Sequence, residues 1–214
     1  MIRVPARVLV YSFIWLCLIA CGTLSLAAYS NRAGASSNAG PSWPTGSLLL
    51  EQPRDSTVVL FLHPRCPCSR ATVRELKGAL SVTPAPLRVC VVVFAPAGES
   101  EQWSQTDLLR QAGSLPGASV FIDIEGKEAE RFGIRTSGHV LLYSPMGKLV
   151  YSGGVTPSRG HEGENAGIDA VRRFVSGRTL PTSEAAVFGC PILHAEEACG
   201  TREVVCSQEG EPCH

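Results

Sequence analysis

The sequence predicts an α/β domain, a mixed sheet with helices on both faces, that follows one N-terminal transmembrane helix. Three observations predict it. Thr57–Leu62 and Leu87–Phe94 are nearly continuous runs of β-branched and apolar residues, as central strands buried on both faces require. Between and beyond them lie stretches whose apolar residues recur at helical spacing. Ahead of all of these, no charged residue occurs from Val8 to Asn31.

The apolar core of that first segment, Val8 to Tyr29, is 22 residues long, close to the ~20 that a helix needs to cross a bilayer. Arg3 and Arg7 precede it, which favours a cytoplasmic N-terminus and export of the rest of the chain. Three readings share the segment. A retained signal anchor over residues 1–30 is the one its length favours. A cleaved signal peptide is the second, although the apolar part of such peptides is usually ~7–15 residues. The third is a lipoprotein signal, because Leu18-Ile19-Ala20-Cys21 has the short pattern that precedes a lipid-modified cysteine. Each reading gives a membrane-attached or exported chain with its folded part on the periplasmic or extracytoplasmic side.

Residues 31–47, rich in Ser, Asn, Gly and Ala, read as a linker. The folded domain is expected over 48–178. In it, strand Thr57–Leu62 leads to a helix over Ser69–Leu80, with Val73, Leu76 and Leu80 on one stripe. Strand Leu87–Phe94 is followed by a helix over Trp103–Gln111, a strand over Ala118–Asp123 and a short helix over Lys127–Phe132 that Gly133 stops. Val140–Tyr143 and Lys148–Tyr151, joined by Ser144-Pro145-Met146-Gly147, form a hairpin. A last helix, Ala166–Val175, carries Ile168, Val171, Phe174 and Val175 on one face. This order gives parallel strands first and an antiparallel pair after them. From Thr179 to the C-terminus periodicity disappears, leaving a cysteine-rich tail over 179–214.

Nineteen basic and 19 acidic residues cancel, which argues against a nucleic-acid partner. Of the nine cysteines, Cys17 and Cys21 belong to the membrane segment. The remaining seven form an odd set, so at least one thiol is free or reactive. Cys90 lies mid-strand and reads as a buried structural thiol. Cys190, Cys199, Cys206 and Cys213 have spacings that match no standard zinc site, and two disulfides pinning the tail are their simplest account. A redox relay from the tail to the dithiol is the alternative.

The chemistry concentrates at Cys66-Pro67-Cys68, where a buried strand gives way to a helix. A helix start offers free N–H groups and a partial positive charge, both of which favour a thiolate. Cys66 is expected to attack, Pro67 to open the helix, and Cys68 to resolve the mixed disulfide from within the first turn. A disulfide across one residue closes a small, stiff ring, so the pair is expected to act as an oxidant or isomerase more than as a reductant. His63 and Arg65 flank the dithiol and can lower a thiol pKa.

This arrangement resembles the thioredoxin fold, and its inserted αβ unit resembles the membrane-tethered, extracytoplasmic branch and the peroxiredoxins. His63-Pro64-Arg65-Cys66-Pro67-Cys68-Ser69-Arg70, Thr136-Ser137-Gly138-His139 and Ser152-Gly153-Gly154-Val155-Thr156 together resemble bacterial RedB-type proteins. The resemblance covers about Leu48 to Gly177. It implies a thioredoxin-like domain and a thiol–disulfide oxidoreductase that needs no cofactor. Its partners would be the thiols and disulfides of exported proteins and an unidentified redox partner.

The chain departs from that pattern in three places. One spacer residue is missing from the usual Cys-x-x-Cys. The customary buried acid of the central strand is absent. Gly138 stands where the fold's cis-proline is expected, beside His139. Arg159 and His161, in the loop after the hairpin, are candidate substrate or acid–base residues, with a solvated loop capping the last helix through Asn165 as the alternative. Two other functions stay open: a copper-binding chaperone using Cys66, Cys68 and His63, with His139 or His161 as a later ligand, and a non-catalytic scaffold.

Overall fold

The structure, a computed structural model, describes residues 5–49, 55–81, 87–98, 103 and 105–192. The chain begins with helix α1 (Ala6–Ser30), which is long and apolar enough to cross a membrane and is not covered by the rest of the protein. Strand β1 (Ser56–Leu62), helix α2 (Ser69–Leu80) and strand β2 (Leu87–Ala95) come after it. Next are α3 (Asp107–Gly113), β3 (Ala118–Ile124) and α4 (Lys127–Arg131). The domain closes with the hairpin β4 (His139–Tyr143) and β5 (Leu149–Gly153), helix α5 (Ala166–Val175) and the short strand β6 (Glu184–Ala185).

The sheet runs β3-β2-β1-β4-β5-β6. β1 is parallel to β2 and antiparallel to β4, and β3 is parallel to β2. A central strand that carries the dithiol at its C-terminal end, a parallel crossover to one side and an antiparallel hairpin to the other make this a thioredoxin-like fold. The inserted α3–β3 unit extends the β2 edge.

Strand alternation divides the core into two. Val58, Leu60 and Leu62 point toward α2 and α5, where they meet Val73, Leu76, Leu80, Ile168 and Val171. Val59 and Phe61 point to the other face, against Trp43, Phe132, Leu141 and Tyr143. Leu76 is fully buried, and truncation to Ala at such a site costs about 2–5 kcal/mol. This double burial holds the β1–α2 junction, and so the dithiol, in place.

Some elements differ from the expectation. Thr106 caps α3 by accepting from the Leu109 N–H at 3.2 Å. Trp103 is helical, but residues 105–106 are not, so α3 begins afresh at Asp107 behind this cap. Residues 31–47 lie against the domain: the Asn38 and Trp43 amides donate to the Gly133 and Gly147 carbonyls, and Trp43 is buried. The small polar composition hid this docking because its anchor is one tryptophan. Residues 179–192 return to the sheet through β6, where Gly153, lacking a β-carbon, permits the close approach of Ala185. Cys199, Cys206 and Cys213 lie outside the described residues.

Candidate functional site: three cysteines at the start of α2

The chain leaves β1 through a tight turn in which the Cys66 N–H donates to the His63 carbonyl at 3.0 Å. It winds into α2 through i+3 bonds from Arg70 to Pro67 and from Ala71 to Cys68. Cys68 is the N-cap, with helical φ/ψ of −65° and −33°, so Pro67 precedes the helix and does not open it. Cys66 is buried, 2% exposed, and Cys68 is half-buried.

A third cysteine joins them. The sulfurs of Cys66, Cys68 and Cys190 all lie within 4.8 Å of one another. The Cys190 N–H donates to the Cys66 sulfur at 3.4 Å. All three are free thiols. Cys190 is held from both sides: its carbonyl accepts from the Ser137 amide at 2.8 Å, and Ile192 N–H donates to the Arg135 carbonyl at 2.9 Å. Thr136 and Pro191 form an antiparallel bridge.

Two serines complete the surroundings of Cys66. The His63 amide donates to Ser137 Oγ at 2.7 Å, and Ser137 Oγ lies 2.8 Å from Ser69 Oγ. The Ser69 hydroxyl gives its one proton to the Cys66 sulfur, so in the serine pair its oxygen accepts from the Ser137 hydroxyl. Burial acts to raise the Cys66 pKa, but the Ser69 hydroxyl, the Cys190 amide and thiol and the Ser69 amide together bring it below the ordinary thiol value of 9.0. Cys68 moves the other way, raised by burial and by the Cys66 charge, with Arg159 offsetting part of the rise. Cys190 is pushed up to about 12 by burial and by the Cys66 thiolate, to which its S–H donates. Of the three thiols, Cys66 is the one whose deprotonation the site favours.

The other expected site residues separate. The His63 ring stacks on Phe94, its Nδ1 accepts from the Arg65 amide, and Arg65 lies over the Trp103 ring at 4.9 Å. His63 is not part of the sulfur cluster among the described residues. Gly138 has φ +88°, and a β-carbon there would sit 2.9 Å from Thr72 Oγ1. Its backbone passes directly over the first turn of α2, which a larger residue would obstruct. His139 shares the sheet face of Leu141 and Tyr143, opposite α2. There its Nε2 meets Ser152 Oγ at 2.9 Å, beside a cavity of about 840 Å³.

Arg159 connects the parts. Its Nη1 donates to the Gly189 carbonyl at 2.7 Å, its Nε to the Arg32 carbonyl at 3.0 Å, and it hydrogen-bonds Cys68. Its guanidinium also faces the Tyr29 ring at the end of α1. His161 is exposed, and its Nδ1–H donates to the Arg159 carbonyl at 2.8 Å. Asn165 caps α5 by accepting from the Gly167 and Ile168 amides. Cys90 is buried in the second core, with its pKa raised by burial.

Cys190, Ser69 and Ser137 were not singled out from the sequence as parts of this site. The one available signal for Cys190 was its setting, Gly189-Cys190-Pro191, in an odd set of exported cysteines.

No protein-family model and no curated protein matches the sequence. Solved structures do. An uncharacterized conserved protein from Geobacillus kaustophilus is 18% identical, with a TM-score of 0.53 over 79% of this chain and 96% of its own. A hypothetical protein from Sinorhizobium meliloti 1021 is also 18% identical, with a TM-score of 0.55 over 75% of this chain and 97% of its own. A secreted Mycobacterium tuberculosis disulfide oxidoreductase aligns at 13% identity and a TM-score of 0.43, over 58% of this chain and 83% of its own. At such identities the likeness is one of fold.

Proposed function

We propose that the protein is a membrane-attached, extracytoplasmic thiol–disulfide oxidoreductase with Cys66 as the attacking thiolate. The observation that carries this reading is the set of donors converging on the Cys66 sulfur, from Ser69 and Cys190, at the end of the central strand. Such donors favour the thiolate, which is the nucleophilic form of cysteine, and the adjacent thiols can complete a two-electron couple. The apolar α1 supports attachment to the membrane, and the basic residues before it support an exported domain. Exported proteins with cysteines are then the substrate class, and no cofactor is required.

The test uses the full-length protein in detergent micelles with a disulfide-bonded peptide and its dithiol form. Wild type is expected to exchange electrons with one of them, and Cys66→Ala to lose that exchange. Equal activity in the variant overturns the reading.

A second reading rests on the same sulfurs. Three thiols within 4.8 Å of one another suit a soft ion such as Cu(I), held by Cys66, Cys68 and Cys190. Stoichiometric Cu(I) binding by the reduced protein, lost in Cys66→Ala and accompanied by no thiol–disulfide couple, supports a metal-delivery role instead.

A further inference from the structure

We propose that Cys190, and not Cys68, is the resolving cysteine of Cys66, so that the working disulfide joins the start of α2 to the segment after β6. This rests on the oxidoreductase reading of Cys66.

The local geometry disfavours the near neighbour. The Cys68 sulfur is in the cluster too, but Cys68 already has helical backbone angles and is anchored at the start of α2. Only Pro67 separates the two cysteines, and its fixed φ leaves that link little freedom to bring the sulfurs to bonding distance, about 2.05 Å. Cys190 comes from a separate segment and has no such constraint. Its sulfur is in the same cluster, and its amide already touches the Cys66 sulfur.

Its position is also built. Gly189 packs against the Ser137 carbonyl so closely that a β-carbon would overlap it. Arg159 holds the Gly189 carbonyl, and the main chain of 190–192 pairs with 135–137. These contacts aim the Cys190 thiol at Cys66 and cover it. Substrate reaches Cys66 when this segment shifts, and its return brings the second thiol.

The steps balance. The Cys66 thiolate attacks one sulfur of a substrate disulfide, forming a Cys66–substrate mixed disulfide and releasing the other substrate sulfur as a thiolate. The Cys190 sulfur then attacks the Cys66 sulfur, its proton passing to the departing substrate thiolate. The substrate gains two electrons, and the protein is left with a Cys66–Cys190 disulfide. The reverse sequence oxidises a substrate dithiol. The order follows from the geometry: Cys66 is the sulfur that the Cys190 amide donates to, and the Cys190 thiol stands beside it in the cluster.

The experiment oxidises the full-length protein in micelles with a disulfide-bonded peptide, quenches it with alkylating reagent and maps the linked cysteines by mass spectrometry. A Cys66–Cys190 linkage is expected, and it is expected to form in Cys68→Ser as well. In Cys190→Ser the peptide is expected to stay on Cys66, its release slowed roughly a hundredfold by loss of a positioned intramolecular thiol. Circular dichroism checks that this variant folds. A Cys66–Cys68 linkage in wild type, a linkage from Cys66 to Cys199, Cys206 or Cys213, or unchanged peptide release in Cys190→Ser overturns the assignment of Cys190 while leaving Cys66 as nucleophile. If Cys66 forms neither a mixed nor an internal disulfide in any variant, the oxidoreductase reading itself fails.

Discussion

Gly189 and Ser137 approach so closely that a β-carbon on Gly189 would overlap the Ser137 carbonyl oxygen. Two backbone segments far apart in sequence meet there, and the contact fixes the height of Cys190 above Cys66. Gly189→Ala is expected to push the segment away and to cost about 1–3 kcal/mol, the usual range for overpacking. Loss of the Cys190 amide should also raise the Cys66 pKa. Urea unfolding and the pH dependence of Cys66 alkylation read the two effects separately, and a variant with both unchanged would contradict this packing.

Ser69 tests the hydroxyl relay. Its oxygen lies 2.8 Å from Ser137 Oγ, and its proton supports the Cys66 thiolate. A hydrogen bond to a charged group contributes about 1.5–3 kcal/mol. Ser69→Ala is therefore expected to raise the Cys66 pKa and to slow its alkylation at neutral pH by about tenfold. Ser69→Thr keeps the hydroxyl and should recover part of the rate. Equal rates in Ser69→Ala and wild type would mean that the backbone donors alone hold the thiolate.

His139 should leave a mark on acid stability. Burial lowers its pKa from 6.5 to about 4. Between those values the unfolded chain binds a proton that the folded chain refuses. The contribution is thus fully present above pH 6.5 and is lost as pH falls toward 4, by up to about 3 kcal/mol. Denaturant unfolding at several pH values should show this slope, and His139→Gln should flatten it. An equal slope in both proteins would place the acid sensitivity elsewhere.

What was legible in the sequence was what local pattern encodes. β1 and β2 announce themselves by continuous branched apolar runs, and α2 and α5 by their stripes, with α2 and α5 running over the expected residues. Cys66 and Cys68 stand out because two thiols at a strand–helix junction are rare in any chain. Cys190 lies 124 residues from Cys66, and no periodicity marks a segment whose main chain pairs with a loop. Its cysteine resembled those of the tail beyond it. The serine pair was hidden for a different reason: hydroxyls near helix starts usually cap, whereas Ser69 comes after the cap and points to a sulfur. His139 was legible as a histidine near the hairpin, but strand alternation carries it to the face away from α2.

Arg159 gives the sharpest separation between a solvated loop residue and a working one. Its guanidinium holds the Gly189 carbonyl and lies close enough to Cys68 and Cys190 to lower the pKa of both. Its backbone N–H and Nε meanwhile bond the Ser30 and Arg32 carbonyls where α1 ends. Removing the side chain should therefore act on the thiols and on the segment together. In Arg159→Ala the Cys68 and Cys190 pKa values are expected to rise further, and Cys190 to react faster with a bulky maleimide because Gly189 is released. Arg159→Lys keeps the positive charge but cannot span the same carbonyls at once. It should restore most of the thiol electrostatics and little of the protection. Residue-resolved labelling by mass spectrometry distinguishes these outcomes. If both variants label like wild type, the loop contributes nothing to the site, and the clamp on Cys190 must come from its pairing with residues 135–137 alone.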